Sequence, residues 1–145
     1  MTINFYSTRQ EPYGVFSNFS AHGFELDGQW WPTSEHYFQA HKFLEPEHVE
    51  AVRVAKSPMD AANIGRSRVR PVRPDWETIK DDVMRRAVLR KFESHPDIKQ
   101  ILLDTGEQDI VEAAPNARYW GAGADGTGRN RLGEILMQVR SQLRA

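Results

Sequence analysis

Glu35, Gln39 and Lys42 stand four and three residues apart, and at about 100° per residue that spacing puts a carboxylate, an amide and an ammonium on one narrow stripe of a helix. Phe38 borders the stripe on one side and Phe43 on the other, and Trp30 and Trp31 lead into it. The opposite face carries Tyr37, Ala40, His41 and Leu44. A surface helix would widen its polar face with further charges, and this one does not. The stretch therefore reads as a helix buried nearly all round, its few polar side chains pointing into a shared cavity. A carboxylate and an ammonium held among aromatic rings are a cost to folding unless the chemistry uses them. On the plainer alternative both are solvated, and Glu35 only complements the helix N-terminus.

A second group of candidates lies in the run from Tyr119 to Asn130, which contains Gly121, Gly123, Gly126 and Gly128 and leads into the last helical pattern. Its Gly-x-Gly-x-x-Gly is no dinucleotide fingerprint, because no βαβ unit surrounds it and too little chain follows for a second half. Nor is it a Walker loop, since no Gly-Lys-Ser/Thr follows. What remains is an anion-tolerant loop carrying Trp120, Asp125, Arg129 and Asn130, with Asn130 expected to cap the helix. The alternative is a plain glycine-rich surface turn. Arg66, Arg68, Arg70 and Arg73 lie in a stretch broken by Pro71 and Pro74, so they cannot share one helix. Most of them read as solvated, while one or two can clamp a phosphate through the planar guanidinium fork. Asn18, between Phe16 and Phe19, reads as a buried amide that a ligand can satisfy. His22, His36, His41, His48 and His95 show no i, i+4 pair with an acid between, so a metal site is not expected. No Gly-x-Ser-x-Gly elbow is present either.

These groups need elements to hold them. Pro32, Thr33 and Ser34 are a helix start, with Thr33 or Ser34 as cap. Residues 24–26 and 29–31 flank Asp27-Gly28, a two-residue hairpin signal that delivers the chain into that helix. Residues 3–6 read as a strand with Asn4 and Tyr6 on one face. Pro46 opens a helix to about Lys56, and Ser57-Pro58 starts another that ends near Gly65. Asp75 is expected to cap the longest helix, whose apolar set is Trp76, Ile79, Val83, Met84, Ala87, Val88 and Phe92. A short helix follows Pro96 and stops at Gly106, residues 109–113 form a strand, and a last helix over about 131–143 buries Leu132, Ile135, Leu136, Val139 and Leu143. Six helical patterns against a few short strands predict an α+β fold, predominantly helical. No repeat or linker divides residues 1–145, so one domain is expected.

The net charge of −1 gives no global basic field for nucleic acid. The chain has no Cys, which excludes thiolate metal sites, disulfides and cysteine nucleophiles and suits a reducing compartment. No stretch approaches the ~20 apolar residues of a membrane span, and no signal-peptide pattern is seen, so a soluble cytoplasmic protein is expected.

Asn4-Phe5-Tyr6, Phe16-Ser17-Asn18-Phe19, and above all Trp31-Pro32-Thr33-Ser34-Glu35-His36-Tyr37-Phe38-Gln39-Ala40-His41-Lys42-Phe43 resemble the YbiA-like, or NADAR, family. So do Trp76, Val83-Met84, Lys91-Phe92, Trp120-Gly121, Gly126 to Asn130 and Leu132-Gly133. The resemblance spans essentially the whole chain. It implies an N-glycosidase: some members cleave the ribosylamine bond of phosphorylated aminopyrimidines in the early riboflavin pathway, and others remove ADP-ribose from modified guanine. It makes Glu35 and Trp76 functional candidates, with Lys42 in the same motif. The Ala-Gly-Ala-Asp-Gly form of the glycine loop departs from the family pattern, its acidic position shifted to Asp125.

The implied chemistry suits the residues. Breaking a C–N glycosidic bond builds positive charge on the ribose, which Glu35 can stabilise while it positions water. Lys42, if desolvated, can attack the anomeric carbon as a Schiff-base nucleophile; otherwise it neutralises Glu35 or binds phosphate. Trp31, Trp76 and Trp120 offer faces to a heterocycle, with stacking worth about 1–3 kcal/mol per base. Asn18 and Gln39 can read base edges or ribose hydroxyls, and Arg66, Arg129 and Asn130 are the phosphate candidates. No metal or redox cofactor is called for. The substrate is a phosphorylated riboside or an ADP-ribosyl compound, with nucleic acid entering only as ADP-ribosylated guanine. A noncatalytic nucleotide- or ADP-ribose-binding module is the competing class.

Overall fold

Two short alternating segments from opposite ends of the chain make the first sheet. β1 (Thr2–Phe5) pairs in parallel with β4 (Asp109–Glu112), placing Ile3 opposite Ile110, both buried. The computed structural model describes all residues, 1–145. By its internal contacts the chain divides into two compact units, Met1–Ser20 with Phe92–Ala145, and Ala21–Lys91.

In the first unit a 3-10 turn (Tyr13–Phe16) follows β1 and drives Phe16 into the core. Its ring meets Phe5 edge-on at 5.8 Å and Phe92 at 6.1 Å. Helix α5 (Pro96–Asp104) buries Ile98 and Leu102 and ends before Gly106, whose φ of 64° is the left-handed turn expected of a helix stop. Helix α6 (Arg131–Arg144) buries Leu132, Ile135, Leu136 and Val139, spaced three and four apart on one face. Burying each such side chain contributes about 1.5–3 kcal/mol. The helix lies so close to β4 that a Cβ on Gly133 would fall 2.2 Å from the Ile110 carbonyl oxygen. Arg140 is buried beneath it, donating from Nη1 to Thr105 Oγ1 at 2.9 Å and to the Gln108 carbonyl at 2.8 Å.

The second unit holds the hairpin β2 (Phe24–Leu26) and β3 (Gln29–Trp31), then α1 (Ser34–Ala40), α2 (Pro46–Arg53) and α3 (Pro58–Arg66). The hairpin turn is as expected, with positive φ at both Asp27 (56°) and Gly28 (79°). Helices α2 and α3 both pack on α1. Ser57 caps α3 by accepting from the Asp60 N–H. Helix α4 (Trp76–Ser94) begins here and buries Val83, Met84, Ala87 and Val88 in this unit. The α+β, predominantly helical reading holds: six helices stand against four strands of three or four residues.

Local expectations are corrected in four places, the first being Leu143, expected to be buried in α6 and only half-buried near its end. Asp75 precedes α4 as expected, and its carbonyl accepts from Thr78 and Ile79, but its carboxylate pairs with Arg73 at 2.6 Å instead of capping. Asn130 sits at the N-cap of α6 with φ 53° and makes no side-chain cap. Its amide instead accepts from the Glu112 N–H and donates to the Ile110 carbonyl, both at 2.9 Å, because α6 lies against β4. Asn18 is half-buried, as is Phe19, so only Phe16 of that segment is a full core residue.

Candidate functional site

Thr33 starts α1 by accepting from the His36 N–H at 3.1 Å. Its hydroxyl is also 2.8 Å from His36 Nδ1, while His36 Nε2 is 3.0 Å from the Ala55 carbonyl. A carbonyl only accepts, so Nε2 carries the proton and Nδ1 accepts from Thr33, a neutral imidazole. Burial pushes the His36 pKa down, consistent with that tautomer. The helix stops at Ala40, and the chain tightens, with Lys42 N–H bonded to the Gln39 carbonyl and Phe43 N–H to the Ala40 carbonyl. Lys42 therefore belongs to the turn after the helix, not to its last turn.

That turn still delivers Lys42 to the Glu35 side. Every residue from Ser34 to Ala40 is buried; Glu35 is 6% exposed and Lys42 8%. Gln39 Nε2 donates to Glu35 Oε2 at 2.8 Å. Burial raises the Glu35 pKa above the ordinary carboxylate value, against the pull of the Gln39 hydrogen bond and of the Arg66 and Lys42 charges. Lys42 Nζ donates to the Gly65 carbonyl at 3.3 Å and lies 5.9 Å from the Phe38 ring centre. Burial, with Arg68 and Arg66 adding like charge, lowers its pKa to about 8, although Glu35 and Glu77 resist. Phe38 in turn packs on Trp76, centroids 5.0 Å apart, and Trp76 is itself buried.

Arg66 ends α3 and its charge reaches both Glu35 and Lys42. Arg68 is held by two backbone carbonyls, Gly65 at 3.1 Å and Ser67 at 3.4 Å, and Arg70 donates to His48 Nδ1 at 3.3 Å. None of these three guanidinium groups has a carboxylate partner, whereas Arg73 is neutralised by Asp75. Sequence reasoning singled out Arg66, left Arg68 among the mostly solvated arginines of its stretch, and gave Gly65 no role beyond ending a helix.

The other face of α1 is core. Trp31 is 1% exposed, its ring edge-on to Tyr37 at 5.1 Å and 5.6 Å from His41, and its Nε1 donates to the Leu26 carbonyl. The expectation that Trp31 offers a face to a heterocycle gives way to this packing. Tyr37 donates to Asp27 Oδ2 at 2.8 Å, and Arg86 closes on Asp27 Oδ1 at 2.8 Å. His41 donates from Nδ1 to the Tyr37 carbonyl at 2.7 Å. Leu44, read as part of this apolar face, is 60% exposed because the helix has already ended.

Asn18, Trp120, Asp125, Arg129 and Asn130 belong to the first unit. There the glycine loop spends its own donors. The N–H groups of Gly126, Gly128, Arg129 and Asn130 go to the carbonyls of Gly123, Ala122, Arg118 and Gly121, and that of Thr127 to Asp125 Oδ1. None of the N–H groups from residue 126 to 130, the part of the run expected to hold an anion, is left for one. Asp125 is exposed and occupied by Thr127 and by Arg118 at 3.4 Å, which lower its pKa. Trp120 is half-buried with its ring edge-on to Tyr119 at 4.9 Å. Arg129 stays exposed, its guanidinium 5.2 Å from the Tyr119 ring centre.

Comparison with known proteins fits this frame. The NADAR domain family matches residues 4–144. N-glycosidase YbiA of Escherichia coli is 51% identical over 141 residues, covering 97% of this chain and 88% of the relative. Its NMR structure superposes with a TM-score of 0.92, covering 99% of this chain and 85% of that one. An N-glycosidase of Nostoc punctiforme is 45% identical over 147 residues, covering 99% of this chain and 94% of the relative. A maize chloroplastic riboflavin biosynthesis protein is 44% identical over 156 residues, which is 97% of this chain but 25% of that protein. The chain belongs to the NADAR domain family.

Proposed function

We infer that the chain is an N-glycosidase that hydrolyses the C–N ribosyl bond of phosphorylated ribosides, of the kind formed as ribosylaminopyrimidine phosphates on the way to riboflavin. The observation that carries the reading is the buried Glu35 carboxylate, held by Gln39 beside a lysine whose pKa is about 8. The N-glycosidase names of the Escherichia coli and Nostoc relatives support the activity, and the maize relative supports the substrate class.

In the proposed reaction the base leaves with the bonding electrons of the C–N bond and takes up a proton, and the ribose carbon gains positive charge. Glu35 faces that charge in a site with little water, where a fixed carboxylate is worth more than in solution. In the direct route Glu35 orients a water that adds to the anomeric carbon and passes a proton to the Glu35 carboxylate, in balance with the proton the departing base takes up. In the covalent route neutral Lys42 Nζ adds to that carbon, forms a Schiff base with the opened sugar, and water then releases the lysine. At pH 7 a lysine with pKa about 8 is roughly one-tenth neutral, against a few parts in ten thousand for an ordinary one. Trp76, behind Phe38, is proposed to support the base, and Arg66 to hold the phosphate.

A second substrate has one observation in its favour. Arg66, Arg68 and Arg70 are three cations without carboxylates, more than one phosphate requires, which suits the diphosphate of an ADP-ribosyl-guanine. Incubation with ribosylaminopyrimidine phosphate and, separately, with ADP-ribosylated guanosine, following free base by chromatography, separates the two. Release from the first compound at the higher kcat/KM is expected; release only from the second reverses the order, and binding without release makes the chain a nucleotide-binding module. With the first substrate the proposed place of action is the cytoplasm, tested by cell fractionation.

A further inference from the structure

Gly65 occupies the last turn of α3, where helix propensity alone favours alanine. A Cβ there would lie 2.0 Å from Gln39 Oε1, 2.8 Å from its Cδ and 2.9 Å from its Cβ. The Gln39 amide thus stands in the space a side chain at position 65 would fill. That oxygen is buried and accepts no hydrogen bond, a standing cost to the fold. The same seat turns the other end of the amide, Nε2, onto Glu35 Oε2 at 2.8 Å. With an ionised carboxylate at that distance only the nitrogen can face it. The Gly65 carbonyl does separate work, accepting from Lys42 Nζ at 3.3 Å and from Arg68 Nη1 at 3.1 Å.

From this we infer that Gly65 is a positioning residue for the glycosidase site: its missing side chain seats the Gln39 amide against Glu35, and its carbonyl anchors Lys42. One residue of α3 thereby fixes both candidate groups of α1 and its following turn. The inference rests on the N-glycosidase reading and adds a residue that touches neither sugar nor base. An alanine at 65 displaces the amide, Glu35 loses its donor, and the carboxylate protonates more readily. The Oε1 and Cδ contacts can be relieved by swinging the amide away, whereas the 2.9 Å contact with Gln39 Cβ requires the two helices to move apart.

The test compares the parent, Gly65→Ala, Gln39→Ala and the double variant on ribosylaminopyrimidine phosphate, with kcat and KM measured across pH. A parent that releases no base overturns the N-glycosidase reading, and the positioning role with it. Given an active parent, Gly65→Ala should lower kcat at neutral pH by about tenfold to a hundredfold, as for a misplaced catalytic group, with KM near the parent value. Its acid limb should move to higher pH, because the lost hydrogen bond favoured the ionised carboxylate. Gln39→Ala should show the same limb shift, and the double variant should be no worse than either single change. Losses that multiply in the double variant, or an acid limb that stays put in Gly65→Ala, overturn the inference. If Gly65→Ala fails to fold, the double variant decides. Its folding places the collision at the amide, and its failure places it at the Gln39 Cβ, which alanine keeps, and overturns the seating role.

Discussion

In the glycine loop ahead of α6, every N–H from residue 126 to 130 donates to an oxygen of its own unit, and the Asn130 amide is consumed by the backbone of β4. Where α1 meets α3 the accounting does not close. Gln39 keeps an unpartnered buried oxygen, Glu35 is ionisable yet desolvated, and Lys42 has only one carbonyl for three donors. Both stretches offered ligand-binding candidates in sequence, the α1 stretch the stronger and the glycine loop the weaker, each with polar residues beside tryptophans. The difference is whether the fold itself satisfies them. A segment whose N–H groups from 126 to 130 are all used within its own unit is built for structure, whereas polar groups buried at a cost need another reason to be there.

The largest effect expected from this contrast is at Glu35. Glu35→Gln keeps the shape and removes the charge, so kcat should fall on the order of a hundredfold or more while KM barely changes. The same substitution should make the folded chain more resistant to denaturant at neutral pH. A carboxylate whose folded pKa is raised binds its proton more tightly folded than unfolded, so its contribution to stability declines as pH rises from the ordinary value of 4.5 through the raised one. Glutamine escapes that loss. Parental turnover in this variant would remove the catalytic assignment altogether.

Lys42 separates the two chemical routes. If it is the covalent partner, borohydride during turnover should trap a sugar adduct on it, Lys42→Arg should abolish the adduct with a loss of rate comparable to that at Glu35, and the parental rate should climb as pH rises through about 8. Full activity in Lys42→Arg with no adduct leaves direct attack by water. Stability gives an independent reading. The folded pKa is depressed, so between about 8 and 10.5 the unfolded chain binds more protons and stability rises with pH. The fully buried Lys91, lowered to about 7, acts in the same direction. Lys42→Met should flatten part of that rise.

Much of the α1 site was legible because its grammar is local. Thr33 as a cap, Asp27-Gly28 as a turn and the Glu35–Gln39 spacing need no knowledge of the rest of the chain. What was not legible depends on partners distant in sequence. Trp31 looked available for stacking until Tyr37 and His41 enclosed it, Asn130 looked like a cap until β4 claimed its amide, and Gly65 gained meaning only from Gln39 lying against it. The parallel pairing of β1 with β4, over one hundred residues apart in the chain, is of the same kind.

On the structural side of the comparison, Asn130→Ala should cost about 3–8 kcal/mol, toward the lower end because both groups are only part-buried. It strands the Glu112 N–H and the Ile110 carbonyl, at about 1–3 kcal/mol for a buried unsatisfied group, and it leaves alanine at φ 53°, a left-handed conformation costing about 1–2 kcal/mol. Urea denaturation with an unchanged slope and a lowered midpoint is the measurement. A variant as stable as the parent would mean that the loop is not braced through this amide.

The smallest effect is expected at the residue that sequence alone ranked with Arg66 as a phosphate contact. Arg129 is exposed, rests over Tyr119, and has neighbours from 126 to 130 whose N–H groups are all taken by the loop itself. Arg66 is exposed as well, but it ends α3 and its charge acts on both Glu35 and Lys42. Removing a contact made equally in the ground and transition states raises KM and leaves kcat alone. Arg66→Ala should therefore raise KM about tenfold or more at low salt, as expected for a charge-assisted phosphate contact of about 1.5–3 kcal/mol. Arg129→Ala should change KM by no more than about twofold, the range of a solvated surface charge. The salt dependence sharpens the pair, since added salt should narrow the gap between parent and Arg66→Ala and leave Arg129→Ala indistinguishable from the parent. A KM for Arg129→Ala as high as that for Arg66→Ala would break the comparison. The loop would then bind the substrate's anion through a side chain despite having no free N–H from 126 to 130, and saturation of backbone donors would no longer tell structural loops from binding ones.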